Sequence, residues 1–331
     1  MATGAASQVA RAGPLHTFAL PLLLLTLGEA LVLAGCFLAR WWALHSAPAE
    51  GAHEDGSSRW HEAPERRFGL FTVPVGCAVI ATGFFASTSP IALFIAASAL
   101  VLSVLTTVAL GCGLGGLLLV RKPGPQAPDG AWFLAPAAAL AIAIALATLL
   151  PRLPPAERDG VRLAALAWCA MGIAGYGVTL ALAAVRVSLA GLGAVERAPW
   201  WISAGCGGLA AAAAGRVAAT LSPSQHLIHS ALAWAALISW AIGSVLIVPI
   251  IVGSVASLLA DRWPPRVPPW FPTFSTGVYA LGSDLVGSLW HLQAIAILGQ
   301  VAGVATVAMW ATTSALMARQ LAHSALVTVL T

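Results

Sequence analysis

Apolar positions along this chain fall into nine blocks, separated by short polar or proline-rich breaks, at roughly 15–44, 69–86, 91–120, 131–150, 162–188, 200–220, 227–260, 270–287 and 291–321. Most approach or exceed the about 20 apolar residues that a helix needs to cross the hydrocarbon core of a bilayer. After the first block the lengths alternate, short then long, to the end. The breaks inside the first and last of these pairs, Ser87 to Pro90 and Gly287 to Trp290, are short enough to demand helical hairpins. The pattern predicts an all-α integral membrane protein of about nine helices: four short–long hairpins plus one N-terminal helix. It forms a single transmembrane domain over 15–321, with tails at 1–14 and 322–331.

The short blocks look alike. Their starts, at Phe68, Ala131, Pro199 and Pro269, are 63, 68 and 70 residues apart, and each opens on aromatic residues before giving way to Pro, Gly, Ala, Ser or Thr. This is the mark of a repeated helix pair. Small residues let backbones approach, which suits helix packing or the wall of a narrow channel. Pro74, Pro136 and Pro272 would each free a backbone carbonyl, a defect tolerated where it is buried or lines a cavity. The long blocks carry more Leu, Ile and Val and suit the lipid-facing layer. All four short blocks run the same way, so they can surround an axis along the membrane normal. On residue chemistry alone, a central path and plain helix packing both remain open.

Composition narrows the classes. Only 8% of the residues are charged and 59% are hydrophobic. A soluble domain carries about 25% charged residues. The net charge of +4 sits in short loops, so it marks topology and not a nucleic-acid surface. Eleven basic residues, from Arg40 to Arg319, fall on one side of the nine-helix topology; Arg11, Arg152, Arg158 and Arg162 fall on the other. The bias predicts a multi-pass cell-membrane protein with a cytoplasmic C-terminus and an N-terminus outside. The five cysteines lie in apolar blocks without a CxxC pair and read as small hydrophobes. No nucleophile elbow, HExxH or Walker loop occurs, so no enzyme activity and no cofactor is expected.

Several residues could carry chemistry. Glu29 lies mid-block, where an ionisable group is costly and a functional candidate by default; a structural hydrogen bond and a proton-coupling role are both open. Arg216 and Asp284 lie late in short blocks. They read as a buried pair, or as a snorkelling arginine, or Arg216 as an attractor of anions at a pore mouth. Pore-wall candidates are the hydroxyl and small residues Thr72, Gly76, Thr82, Ser203, Gly205, Ser275, Thr276 and Gly277. Their hydroxyls could replace an anion's hydration, or could bond their own helix carbonyls instead.

The stretch Trp270-Phe-Pro-Thr-Phe-Ser-Thr-Gly-Val-Tyr-Ala-Leu-Gly282 resembles the penultimate helix of the tellurite-resistance/C4-dicarboxylate transporter family, which includes fungal malate and sulfite transporters and plant slow anion channels. Arg67-Phe-Gly-Leu-Phe-Thr-Val-Pro-Val-Gly76 is similar to its third helix and Leu27-Gly-Glu-Ala-Leu-Val-Leu33 to its second. The resemblance implies ten helices in five hairpins around a pore, with odd-numbered, often proline-kinked helices inside and both termini cytoplasmic. It implies transport of small anions (C4-dicarboxylate, sulfite or halide), as channel or secondary carrier, by a homotrimer. Against that pattern the first inner helix is missing from the nine blocks, which predicts either a chain that begins late or a broken ring. The family's pore-blocking aromatic falls at Thr276, with Phe274 two residues earlier. Alternatives from other classes are an intramembrane enzyme and a non-conducting truncated relative.

Overall fold

The computed structural model describes residues 2–12, 19–28, 70–120, 130–190, 197–259 and 270–330, and every regular element among them is helical. In chain order the helices are α1 Ala2–Ala12, α2 Ala19–Gly28, α3 Thr72–Phe84, α4 Pro90–Val120, α5 Leu134–Leu149, α6 Pro155–Ala190, α7 Arg197–Ala218, α8 His226–Leu259, α9 Trp270–Leu289 and α10 Gln293–Leu330. The four expected hairpins are present as α3/α4, α5/α6, α7/α8 and α9/α10. Among the described residues five stretches, containing α5 and most of α4, α6, α8 and α10, are long and apolar enough to cross a membrane.

The odd-numbered helices close a ring. α1 touches α3 and α9, α3 touches α5, α5 touches α7, and α7 touches α9. Each of α4, α6, α8 and α10 packs on its own hairpin partner and on the next inner helix round the ring. Burial separates the two layers. In the apolar span of α5, 72% of residues are buried, against 28% in α4 and α6 and 17% in α8 and α10. Phe94, Val101, Leu105, Val245 and Val301 are among the exposed apolar side chains of the outer helices. Such a surface is stable only against lipid.

This arrangement corrects the expected break. Residues 2–12, read from sequence as part of a tail, form α1, and α1 occupies the fifth inner place. It is amphipathic on an alanine-rich background, too short and too weakly apolar to register as a spanning block, and tertiary packing stabilises it. Thr3, Ala5, Ala6 and Ser7 are buried. Methyl groups placed at Gly4 and Gly83 would meet Val79 and Gln8 respectively, so α1 and α3 run parallel. Arg11 stays on the same side as Arg152, because it ends α1 as Arg152 follows α5. At the other end, residues 322–330, expected as a tail, continue α10.

Trp310 of α10 anchors α1 by donating from Nε1 to Thr3 Oγ1 at 3.0 Å. Trp310→Phe keeps an aromatic ring but removes the donor and part of the indole's packing, so it should cost about 1–2 kcal/mol. A melting curve of the detergent-solubilised protein checks this, and an unchanged midpoint would count against the anchored place of α1.

The prolines also differ from expectation. Pro74, Pro136, Pro199 and Pro272 are each the third residue of their helix. The N–H groups of a first turn have no intrahelical partner, so proline there removes no hydrogen bond and fixes φ for the start. These residues stand in the first turn of their α-helices and not in the helix interiors.

Polar bonds tie the hairpin ends together on one face. Arg152 donates to the Ala86 carbonyl at 3.2 Å, and Arg162 donates through Nε to the Thr220 carbonyl at 3.1 Å and also pairs with Asp159. Three hairpin turns are thus held at a common level at the far end of the inner helices.

Candidate pore

Close approaches fix how each inner helix is turned about its own axis. On α7, a methyl at Gly207 would lie 2.9 Å from the Tyr176 hydroxyl of α6, the Ser239 carbonyl of α8 and Gly243 Cα. Position 207 therefore faces the outer layer. With 3.6 residues per turn, Ile202, Leu209 and Arg216, seven apart, stand on the opposite side. Gly208 and Gly215, between the two faces, and Gly205, at the edge of the inward one, press on Tyr279, Leu285 and Ser275 of α9.

On α9 the outward position is Ser283. Its hydroxyl accepts from Trp240 Nε1 of α8 at 2.8 Å and donates to the Tyr279 carbonyl. A methyl at Gly299 of α10 would lie 3.1 Å from its Cβ. Phe274, two and a half turns earlier, stands on the opposite side with Leu281. On α5, Leu140 and Pro136 fill the places left by Gly172 and Gly175 of α6, so Ala138 and Ile142 face the other way.

The inward stripes are thus apolar, and Phe274, Leu209, Ile202 and Ile142 belong to one buried cluster. Phe274 is 3% exposed, Leu209 4%, Ile202 1% and Ile142 0%. Water does not reach these side chains. Arg216 is exposed, one heptad beyond Leu209 at the last turn of α7, and its charge acts on Asp284 of α9.

The residues expected from sequence are spread over different surfaces. Thr276, seven residues before Ser283, shares its outward face, whereas Phe274 needs no helix shift to face the axis. Gly277 packs on Ala5 of α1 and Thr306 of α10. Gly205 and Ser275 meet at the seam of α7 and α9. Ser203 lies four residues before Gly207 on the outward side and donates to the Trp200 carbonyl at 2.7 Å. Thr82 is buried and donates to the Ala78 carbonyl at 2.8 Å, so its proton is not free for an anion. Thr72 and Gly76 are half-buried near the start of α3. Glu29 lies outside the described residues. Ile202, Leu209 and Leu281 were not foreseen. Their heptad spacing from Arg216 and Phe274 was the available signal.

The family model of the voltage-dependent anion channels matches residues 1–318. The chain belongs to the voltage-dependent anion channel family. The tellurite-resistance/C4-dicarboxylate resemblance points to the same family, and the match takes in α1. Members of this anion channel family are channels or transporters, and the chain is a multi-pass membrane protein. It is also similar to two uncharacterized membrane proteins of Mycobacterium tuberculosis, from strains CDC 1551 / Oshkosh and ATCC 25618 / H37Rv, each 27% identical over 127 residues. That alignment covers 38% of this chain and 64% of each relative.

Proposed function

We propose that this chain conducts small anions along the axis of the α1/α3/α5/α7/α9 ring, and that Phe274 closes the path in the state described. The observation that carries this reading is the inward, water-sealed position of Phe274 among Ile142, Ile202 and Leu209. Family membership supplies the anion. The basic bias supports placing the start of α3, α5, α7 and α9 on the cytoplasmic side. The test is flux of chloride, sulfite and labelled malate into liposomes holding the full chain or Phe274→Ala. Flux above empty liposomes, raised by the substitution, supports the reading. No flux from either protein for any of the three anions overturns it.

Arg216 would draw anions to the far mouth. Its stripe position beyond Leu209 puts a fixed positive charge where the shut stretch ends, and Asp284 tempers it. Replacing Arg216 by glutamine should lower anion flux about threefold to tenfold at roughly 10 mM salt. The effect should shrink toward none at about 1 M, where the screening length is about 3 Å. A salt-independent effect would place Arg216 in packing and not in steering.

A further inference from the structure

Trp240 and Ser244 of α8 form a closed hydrogen-bond circuit with Tyr279 and Ser283 of α9. Trp240 donates from Nε1 to Ser283 Oγ at 2.8 Å, and Ser283 donates to the Tyr279 carbonyl at 2.8 Å. One turn further along α8, Ser244 donates to the Trp240 carbonyl at 2.8 Å, and its oxygen lies 2.7 Å from the Tyr279 hydroxyl. A serine hydroxyl carries one proton. Ser244 has given its own to Trp240, so Tyr279 is the donor in the last bond. Every donor therefore points the same way round: Tyr279 to Ser244, Ser244 to Trp240, Trp240 to Ser283, and Ser283 back to Tyr279. The Trp240 and Tyr279 rings are stacked, with centroids 6.3 Å apart and planes 19° from parallel. Ser283 is fully buried and Tyr279 nearly so. Water does not compete for these groups, and hydrogen bonds linked in one direction strengthen each other.

The circuit holds the rotation of α9 about its own axis. On the α7 side, Gly208 and Gly282 bring backbone against backbone, a contact that sets the distance and supplies no side-chain bond. On the α8 side, both bonds come from the face of α9 turned away from Phe274. Ser283 stands nine residues beyond Phe274, about 180° round the helix, and Tyr279 five residues beyond it, about 140° round. A turn of α9 by about 40° would swing the Phe274 ring away from Ile142, Ile202 and Leu209. The same turn moves an oxygen about 3.5 Å from the helix axis by about 2 Å, and a hydrogen bond does not survive that displacement. We propose that Trp240, Ser244, Tyr279 and Ser283 are positioning residues, which act through α9 to hold Phe274 in its closing orientation. This rests on the pore reading above and adds to it the device that sets the closed state. Opening by a turn of α9 must break the circuit, and weakening the circuit favours opening.

The test is chloride flux into liposomes holding the full chain, with each substitution made both in the unmodified protein and in Phe274→Ala. Tyr279→Phe removes one oxygen and keeps the ring, and Trp240→Phe removes the other donor that joins the two helices. Each takes about one neutral hydrogen bond from the closed state, so chloride flux should rise about fivefold where Phe274 is present. Ser244→Ala should raise flux in the same way, whereas Ser244→Thr keeps the hydroxyl and should leave it unchanged. In the Phe274→Ala background none of these substitutions should alter flux, because no ring remains to be positioned. A merely structural role would change flux by the same factor in both backgrounds, and that result overturns the proposal. Flux unchanged by Tyr279→Phe where Phe274 is present also overturns it, and this variant decides the matter where Trp240→Phe does not fold. Absence of chloride flux through Phe274→Ala strikes the pore reading itself, and the circuit's role with it. Flux through Phe274→Ala without any response to Tyr279→Phe in the unmodified protein strikes the circuit's role alone.

Discussion

Chloride flux through Phe274→Ala is expected to exceed that of the unmodified chain by about a hundredfold. Phe274 lies on the side of α9 opposite Ser283, buried within the apolar cluster that also holds Ile142, Ile202 and Leu209. Truncating a packed phenylalanine to alanine typically forfeits about 3–5 kcal/mol of contact and cavity terms. An ion that passes must displace the ring and give up a comparable amount. At about 1.36 kcal/mol per factor of ten, a barrier of about 3 kcal/mol is about a hundredfold in rate. Stopped-flow fluorescence of an anion indicator inside liposomes measures it. Thr276→Ala supplies the contrast, because position 276 shares the outward face of Ser283 and should leave flux unchanged. If Thr276→Ala opened the path and Phe274→Ala did not, the rotation of α9 given above would be wrong.

The layered fold was legible because the bilayer imposes one strong rule, about 20 apolar residues per crossing, and because each inner helix repeats an aromatic start. α1 was not legible for the same reason. Its eleven residues, Ala2–Ala12, carry Thr, Ser, Gln and Arg and show no apolar run, so only the surrounding helices make it a ring member. The pore lining was less legible still. Sequence reasoning looked for hydroxyls, and Thr82 and Ser203 satisfied their own helices. Rotation about a helix axis is set by which glycines meet which neighbours, and a uniformly apolar helix hides that phase. Phe274 and Thr276 differ by two residues, or about 200° at 3.6 residues per turn, so a small shift in alignment exchanged the inward and outward positions.

Gly282→Ala is expected to break the α7–α9 seam and to lower the melting midpoint more than any polar substitution. A methyl at Gly282 would run into the Gly208 carbonyl oxygen and lie 3.1 Å from its Cα; a methyl at Gly208 would lie 2.5 Å from Tyr279 Cα. Both obstacles are backbone, so no side chain can turn aside, and the helices must part by about 1 Å to restore ordinary contact. Parting them strips packing along Gly205, Gly208, Gly215, Ser275 and Tyr279 together. Overpacking a core costs about 1–3 kcal/mol, and backbone against backbone belongs at the upper end. For a chain of this length that is roughly 4 °C in the midpoint. Gly113→Ala on α4 is the control. A methyl there meets nothing within 4 Å, and exchanging glycine for alanine within a helix stabilises by about 0.5–1 kcal/mol. Thermal unfolding of both proteins in detergent should therefore move in opposite directions. A Gly282→Ala midpoint equal to that of the unmodified chain would mean that α7 and α9 do not touch through their backbones, and the inward stripes assigned from that contact would lose their basis.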